Sequence, residues 1–181
     1  TAYEIVSRDG SSDVCSSDLM LVKKIIMSSL LVSLMTFAGI ASADLSFVKT
    51  TDGSALKIDS ALFDTPAAKE FLATGKNPYI GNAEAIAKGK KIFGMYSCTQ
   101  CHGPEAKGQV GPGLVGPTFR YPKDATNKGM FETVWNGTNG GMGAKGIGLM
   151  DATDPKNGIT PDELLKVIAW IRSNGTVTGN E

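Results

Sequence analysis

The chain has 181 residues, 41% hydrophobic and 20% charged, with 18 basic and 18 acidic side chains in balance. That is a soluble profile with room for one domain and one core. Zero net charge gives no basis for nucleic acid or a membrane surface as the main partner, and three cysteines with one histidine restrict the metal chemistry open to the chain.

The N-terminus reads as processed. From Met20 the chain runs MLVKKIIMSSLLVSLMTFAGIASA, with a basic head at Lys23 and Lys24, an apolar stretch from Leu30 to Ile40 and a small-x-small cleavage site at Ala41-Ser42-Ala43. The apolar stretch falls short of the roughly 20 residues that cross a bilayer, and no cysteine follows it to carry a lipid. Residues 20–43 are therefore expected to be a signal peptide cleaved after Ala43, leaving no stable membrane anchor and placing residues 44–181 in the periplasm. Residues 1–19 precede this start. Asp13 to Leu19 (DVCSSDL) resembles a translated sequencing adapter, so 1–19 is set aside as a non-native leader, and Cys15 with it. With only Cys98 and Cys101 remaining, structural disulfides are not expected even in an oxidising compartment.

Residues 44–80 are expected to form an N-terminal arm with one short helix. Asp52-Gly53 is a turn signal, and residues 44–64 support no more than a short strand or a segment lying on the surface. Thr65-Pro66 reads as helix cap and first helical position, Gly75 as the stop, with Ala67, Phe71 and Leu72 as a modest apolar stripe. Residues 81–175 form the main domain. Asn82 caps a second helix running to about Ser97, in which Ile86, Gly89, Ile92, Phe93 and Tyr96 recur at helical spacing. A glycine inside a helix costs up to ~1 kcal/mol relative to alanine, so Gly89 points to close contact with another backbone.

That helix runs directly into Cys98-Thr99-Gln100-Cys101-His102. Beyond it lie a glycine- and proline-rich loop to Pro117, a short helix from Asn127 through Met130, Phe131, Val134 and Trp135, and an irregular glycine-rich stretch from Gly137 to Gly148. The last helix opens on Thr160-Pro161-Asp162-Glu163, a capping box with acids at the positive helix end. It buries Leu164, Leu165, Ile168 and Ile171, is widened by Trp170 (a partner for Phe93) and stops at Gly175. Residues 176–181 are a tail. No repeat and no strand alternation appear, so the fold reads as mainly α.

Two cysteines two residues apart with histidine directly after the second is the pattern of covalent c-type haem attachment. The thiols form thioethers with one macrocycle and His102 becomes the proximal iron ligand. A zinc site needs four ligands, usually all from protein when structural, and this chain offers two cysteines and one histidine in a single cluster. A thioredoxin-type pair would need a βαβ context. With one histidine, the sixth iron ligand must be of another kind. Methionine is the usual partner in c-type carriers and raises the potential. Met95 lies too near the motif to reach the opposite face, and Met130 sits on an apolar helix face. Met142, flanked by glycines that let backbone approach a porphyrin, and Met150 remain. The Pro112 carbonyl is a candidate partner for the His102 ring N–H, and Arg120 and Tyr121 are candidates for the haem propionates. Trp135 reads as packing against core or haem edge. Lys88, Lys90, Lys91 and Lys107 form either a docking patch or a solvated face.

These residues resemble class I cytochromes c: Gly89-x-x-x-Phe93 before the motif, Gly111-Pro112-Gly113-Leu114 after it, a methionine loop, and a terminal helix with Trp170. Lys69 to Gly75, Tyr121-Pro122, Gly140-Gly141-Met142-Gly143 and the stretch from Thr160 to Arg172 narrow the likeness to the cytochrome c-L branch, over roughly residues 65–175. The resemblance implies the class I cytochrome c fold, helices packed around one covalent haem c. It further implies a carrier of single electrons, not an enzyme. The electrons come from a PQQ-dependent methanol dehydrogenase and go to a second cytochrome c. Met142 stands where the family's iron-binding methionine falls, with Met150 as runner-up because the segment from Gly146 to Ile159 is longer than the family pattern. The short tail departs from the long extension of calcium-type members and leans toward a lanthanide-type partner. The competing functions are acceptance from another quinoprotein alcohol dehydrogenase, or a haem sensor with an open iron position that binds a small ligand.

Overall fold

The computed structural model describes residues 44–177 and Asn180. The leader (1–19) and signal-peptide (20–43) readings lie outside the described residues.

Each helix except the single-turn α3 begins on a side chain that accepts from an otherwise unpaired N–H of the first turn. Thr65 Oγ1 accepts from Ala68 N at 3.1 Å ahead of α1 (Pro66–Thr74), which Gly75 closes in the left-handed conformation. Asn82 Oδ1 accepts from Ala85 N at 3.0 Å ahead of α2 (Ala83–Met95). A single turn, α3 (Thr99–His102), carries the cysteine motif. Thr126 Oγ1 accepts from Gly129 N at 2.9 Å ahead of α4 (Asn127–Asn136). Before α5 (Pro161–Ser173) the capping box is complete, with Thr160 N donating to Glu163 Oε2 at 3.0 Å and Glu163 N to Thr160 Oγ1 at 3.3 Å. This helix closes at Asn174, one residue before the expected Gly175.

Gly89 explains how α2 and α5 meet. A Cβ at this position would overlap the Lys166 carbonyl oxygen, so only glycine lets the two backbones touch. One turn on, the Phe93 and Trp170 rings lie 4.6 Å apart between centroids, tilted by 49°, a geometry aromatic pairs favour. Leu164, Leu165, Ile168 and Ile171 are buried on the inner face of α5, as their spacing indicates.

The N-terminal arm is part of the core, not a segment lying on the surface. Its two-residue strands β1 (Phe47–Val48) and β2 (Ala55–Leu56) pair antiparallel, with Phe47 opposite Leu56. Phe47, Phe63 and Phe71 are buried and converge on Phe131 of α4, at centroid distances of 5.4, 6.1 and 5.0 Å, and Phe131 stacks on Trp135 at 5.3 Å. Each arm phenylalanine enters from a separate short element, so neither a 2- nor a 3.6-residue period marks them in the sequence.

Buried polar ties fix the arm in place. Glu132 of α4 accepts from Val48 N at 2.9 Å and pairs with Lys123 and Lys128. Asp162 of α5 accepts from Thr65 Oγ1 at 2.8 Å and Tyr79 OH at 2.6 Å and pairs with Lys166. Burial works to raise the Asp162 carboxyl, but these three partners outweigh it and hold the group below the usual carboxylate range. Tyr79 moves the other way, pushed up to about 12 by burial and by the Asp162 carboxylate it donates to.

Candidate cofactor site

The site begins where α2 ends. Ser97 takes a positive φ of 59°, rare for a residue with a side chain, and this reversal starts the single turn of α3. The Cys98 carbonyl accepts from His102 N at 2.9 Å, which brings Cys98, Cys101 and His102 onto one face at helical i, i+3, i+4 spacing. Both thiols are free, Cys98 half-buried and Cys101 exposed. Burial pushes the Cys98 thiol up, so it is a neutral thiol at neutral pH.

His102 is 7% exposed, and its Nδ1 lies 2.7 Å from the Pro112 carbonyl oxygen. A carbonyl only accepts, so Nδ1 donates, and in the neutral ring the lone pair then lies on Nε2. This is the tautomer a metal-binding imidazole needs, and the hydrogen bond to Pro112 makes the ring a stronger donor. Gly111 N also donates to the Cys101 carbonyl at 2.8 Å. A Cβ on Gly111 would stand 3.2 Å from both the Cys101 oxygen and His102 Cε1, so glycine allows the loop to lie directly on the motif.

Three adjoining cavities surround this turn, and His102 and Met142 line all of them. The most open is walled by Cys98, Cys101 and Gly141. The second is small and apolar, with Phe93, Leu114 and Ile171 in its wall. The third is lined by Pro112, Arg120 and Tyr121. Met142 is held by its backbone, since Thr138 N donates to its carbonyl at 2.8 Å.

The sequence candidates therefore sort clearly. Cys98, Cys101, His102, Met142, Pro112, Arg120 and Tyr121 come together around this space. Met150 lines none of the three cavities. Met130 is 2% exposed in the core, where it forms part of the apolar wall, and Met95 is 71% exposed. Trp135 packs in the aromatic cluster. Of the lysines, Lys88 and Lys107 are paired with Glu84 and Glu105 at the surface. Sequence reasoning missed Asp124, Thr133 and Lys145, which also line the cavities. A lone aspartate after Pro122-Lys123 carries no signal that it points inward.

The donor set suits a covalent haem. It offers two free thiols on one helical face, an imidazole with Nε2 available, a thioether lining the same cavities and a largely apolar wall. Among the described residues no group of three His, Cys, Asp or Glu side chains is placed to hold a bare metal ion.

Comparison with known proteins agrees. The cytochrome c family model matches residues 86–175. The chain is 39% identical over 153 residues to the cytochrome c-L of Methylorubrum extorquens, covering 76% of this chain and 72% of that protein. The crystal structure of cytochrome cL from Hyphomicrobium denitrificans superposes with a TM-score of 0.61 at 40% identity, over 72% of this chain and 73% of that one. Cytochrome CL from the marine methylotroph Methylophaga aminisulfidivorans gives 0.60 at 37% identity, over 71% and 79%.

Proposed function

The chain belongs to the cytochrome c family and its cofactor is haem c, and from that premise we propose that it is a periplasmic monohaem carrier. It takes single electrons from a PQQ-dependent methanol dehydrogenase and gives them to a second cytochrome c. Export depends on residues 20–43 as the signal peptide. When bound, the haem supplies a one-electron ferric–ferrous couple. Cys98 and Cys101 would hold it as thioethers. His102, its ring fixed by the Pro112 carbonyl, and Met142 would supply an imidazole nitrogen and a thioether to the iron, the thioether favouring the reduced state and raising the potential. Arg120 and Tyr121 would pair with the propionates, and the apolar wall would limit water at the site.

The observation that carries this reading is that His102 and Met142 share all three cavities around the motif. A methionine in that position also counts against the haem-sensor alternative, which needs an open iron site and a polar distal pocket. Similarity to cytochromes c-L points to the methanol dehydrogenase as donor. The test is reduction of the purified holoprotein by a PQQ-dependent methanol dehydrogenase with methanol, followed by the rise of the ferrous haem bands. Fast reduction is expected. Failure with this enzyme alongside fast reduction by an ethanol-type quinoprotein would assign the other donor.

A further inference from the structure

The 3₁₀ turn Pro122–Ala125 places Asp124, 6% exposed, against two of the cavities shared by His102 and Met142. Its carboxylate is the end of a hydrogen-bonded chain. Thr133 Oγ1 donates to Asp124 Oδ1 at 2.7 Å. Thr133 has one hydroxyl proton, so in its 3.1 Å contact with Thr50 Oγ1 the Thr50 hydroxyl must be the donor. Thr50 is partly buried, in the turn between β1 and β2. Three side chains thus connect solvent to the cofactor cavity, and hydroxyls that both donate and accept can pass a proton along such a chain.

The charges around Asp124 leave it poised. Arg172 donates to the Asp124 backbone carbonyl at 2.7 Å, not to its carboxylate, and Lys123 is committed to Glu132 at 2.8 Å. His102 and Lys145 face the same space from α3 and the methionine loop, and Arg120 and Tyr121 from the chain just before Asp124. Burial, reinforced by Glu132, lifts the carboxyl to about 6 against the Thr133 hydrogen bond and the two cations.

We propose that Asp124 is a redox-linked proton acceptor, taking up a fraction of a proton from solvent through Thr50 and Thr133 when the cofactor accepts an electron. The inference rests on the His102–Met142 reading of the site. The electron comes from the reduced quinoprotein and the proton from bulk water. Both leave on reoxidation, so the change in charge of the buried site is partly offset. A carboxylate favours the oxidised iron, which sets the sign: the potential is high where Asp124 is protonated in both states and low where it is ionised in both. A change of one unit charge across the cavities that Asp124 shares with His102 and Met142, at an effective dielectric of about 20, changes a proton affinity by on the order of tenfold.

Potentiometric titration of the holoprotein from about pH 4.5 to 8 tests this. The wild-type potential should fall as pH rises through the region of the Asp124 pKa, with a span reflecting that tenfold ratio, about 59 mV for one electron. Asp124→Asn should remove the fall and hold the potential near the wild-type low-pH plateau; an unchanged fall overturns the proposal. Thr50→Val should preserve the equilibrium fall but slow proton uptake after rapid photoreduction, and an unaltered rate overturns the relay. Wild-type protein labelled with ¹³C-aspartate guards against a variant that fails to load haem. Its reduced-minus-oxidised infrared spectrum near pH 6 should contain a label-sensitive carboxylic acid band, and absence of that band contradicts the assignment. The methionine-to-iron charge-transfer band of the same ferric samples separates the two readings. Its absence overturns Met142 as ligand, whereas its presence with an unchanged fall in Asp124→Asn overturns only the role of Asp124.

Discussion

Replacing Met142 by alanine should open the sixth iron position, lower the reduction potential on the order of 100 mV or more, and let carbon monoxide bind the ferrous protein. The size follows from the role of axial ligands, whose identity sets haem potentials over a range of about 0.8 V. A thioether favours ferrous iron, and water or an open site does not. Met142 lines each of the three cavities that His102 lines, and Met150 lines none of them. Met150→Ala should therefore leave the potential and the carbon monoxide response as they are in the wild type. The opposite outcome, with Met142→Ala silent and Met150→Ala open to carbon monoxide, would move the ligand to the longer segment before α5.

Phe131→Ala should destabilise the holoprotein by about 3–5 kcal/mol in denaturant unfolding, the usual cost of truncating a buried aromatic. Phe131 touches four rings, three of them in the N-terminal arm and its helix. Phe47→Ala should also be costly, and the double variant should lose less than the two single losses added together, because the rings are in contact at 5.4 Å. Were residues 44–64 only a surface segment, Phe47→Ala would fall within about 0.5 kcal/mol of wild type.

Phe47 and Asp124 show why some features were legible in the sequence and others were not. The haem motif is legible because its chemistry depends on residues adjacent in the chain. The helix starts are legible for the same reason, since Thr65, Asn82 and Thr160 each accept from an N–H three residues on. Gly89 could be read as a close contact because an interior helix glycine has a cost that needs a reason, and the Lys166 carbonyl supplies it. Burial of the arm depends instead on rings that lie far apart in sequence and meet only at Phe131. Asp124 is similar. Its inward orientation is set by Thr133 and by the close packing of its turn on α4, where a Cβ on Gly129 would overlap the Lys123 carbonyl. Neither contact leaves a local pattern.

The most direct measurement is the optical spectrum of the reduced wild-type holoprotein before and after carbon monoxide is added. Ligation by His102 and Met142 predicts a six-coordinate ferrous haem whose bands do not change on mixing. Rapid formation of a carbon monoxide complex by the native protein would contradict it and turn the site into that of a ligand-binding haem.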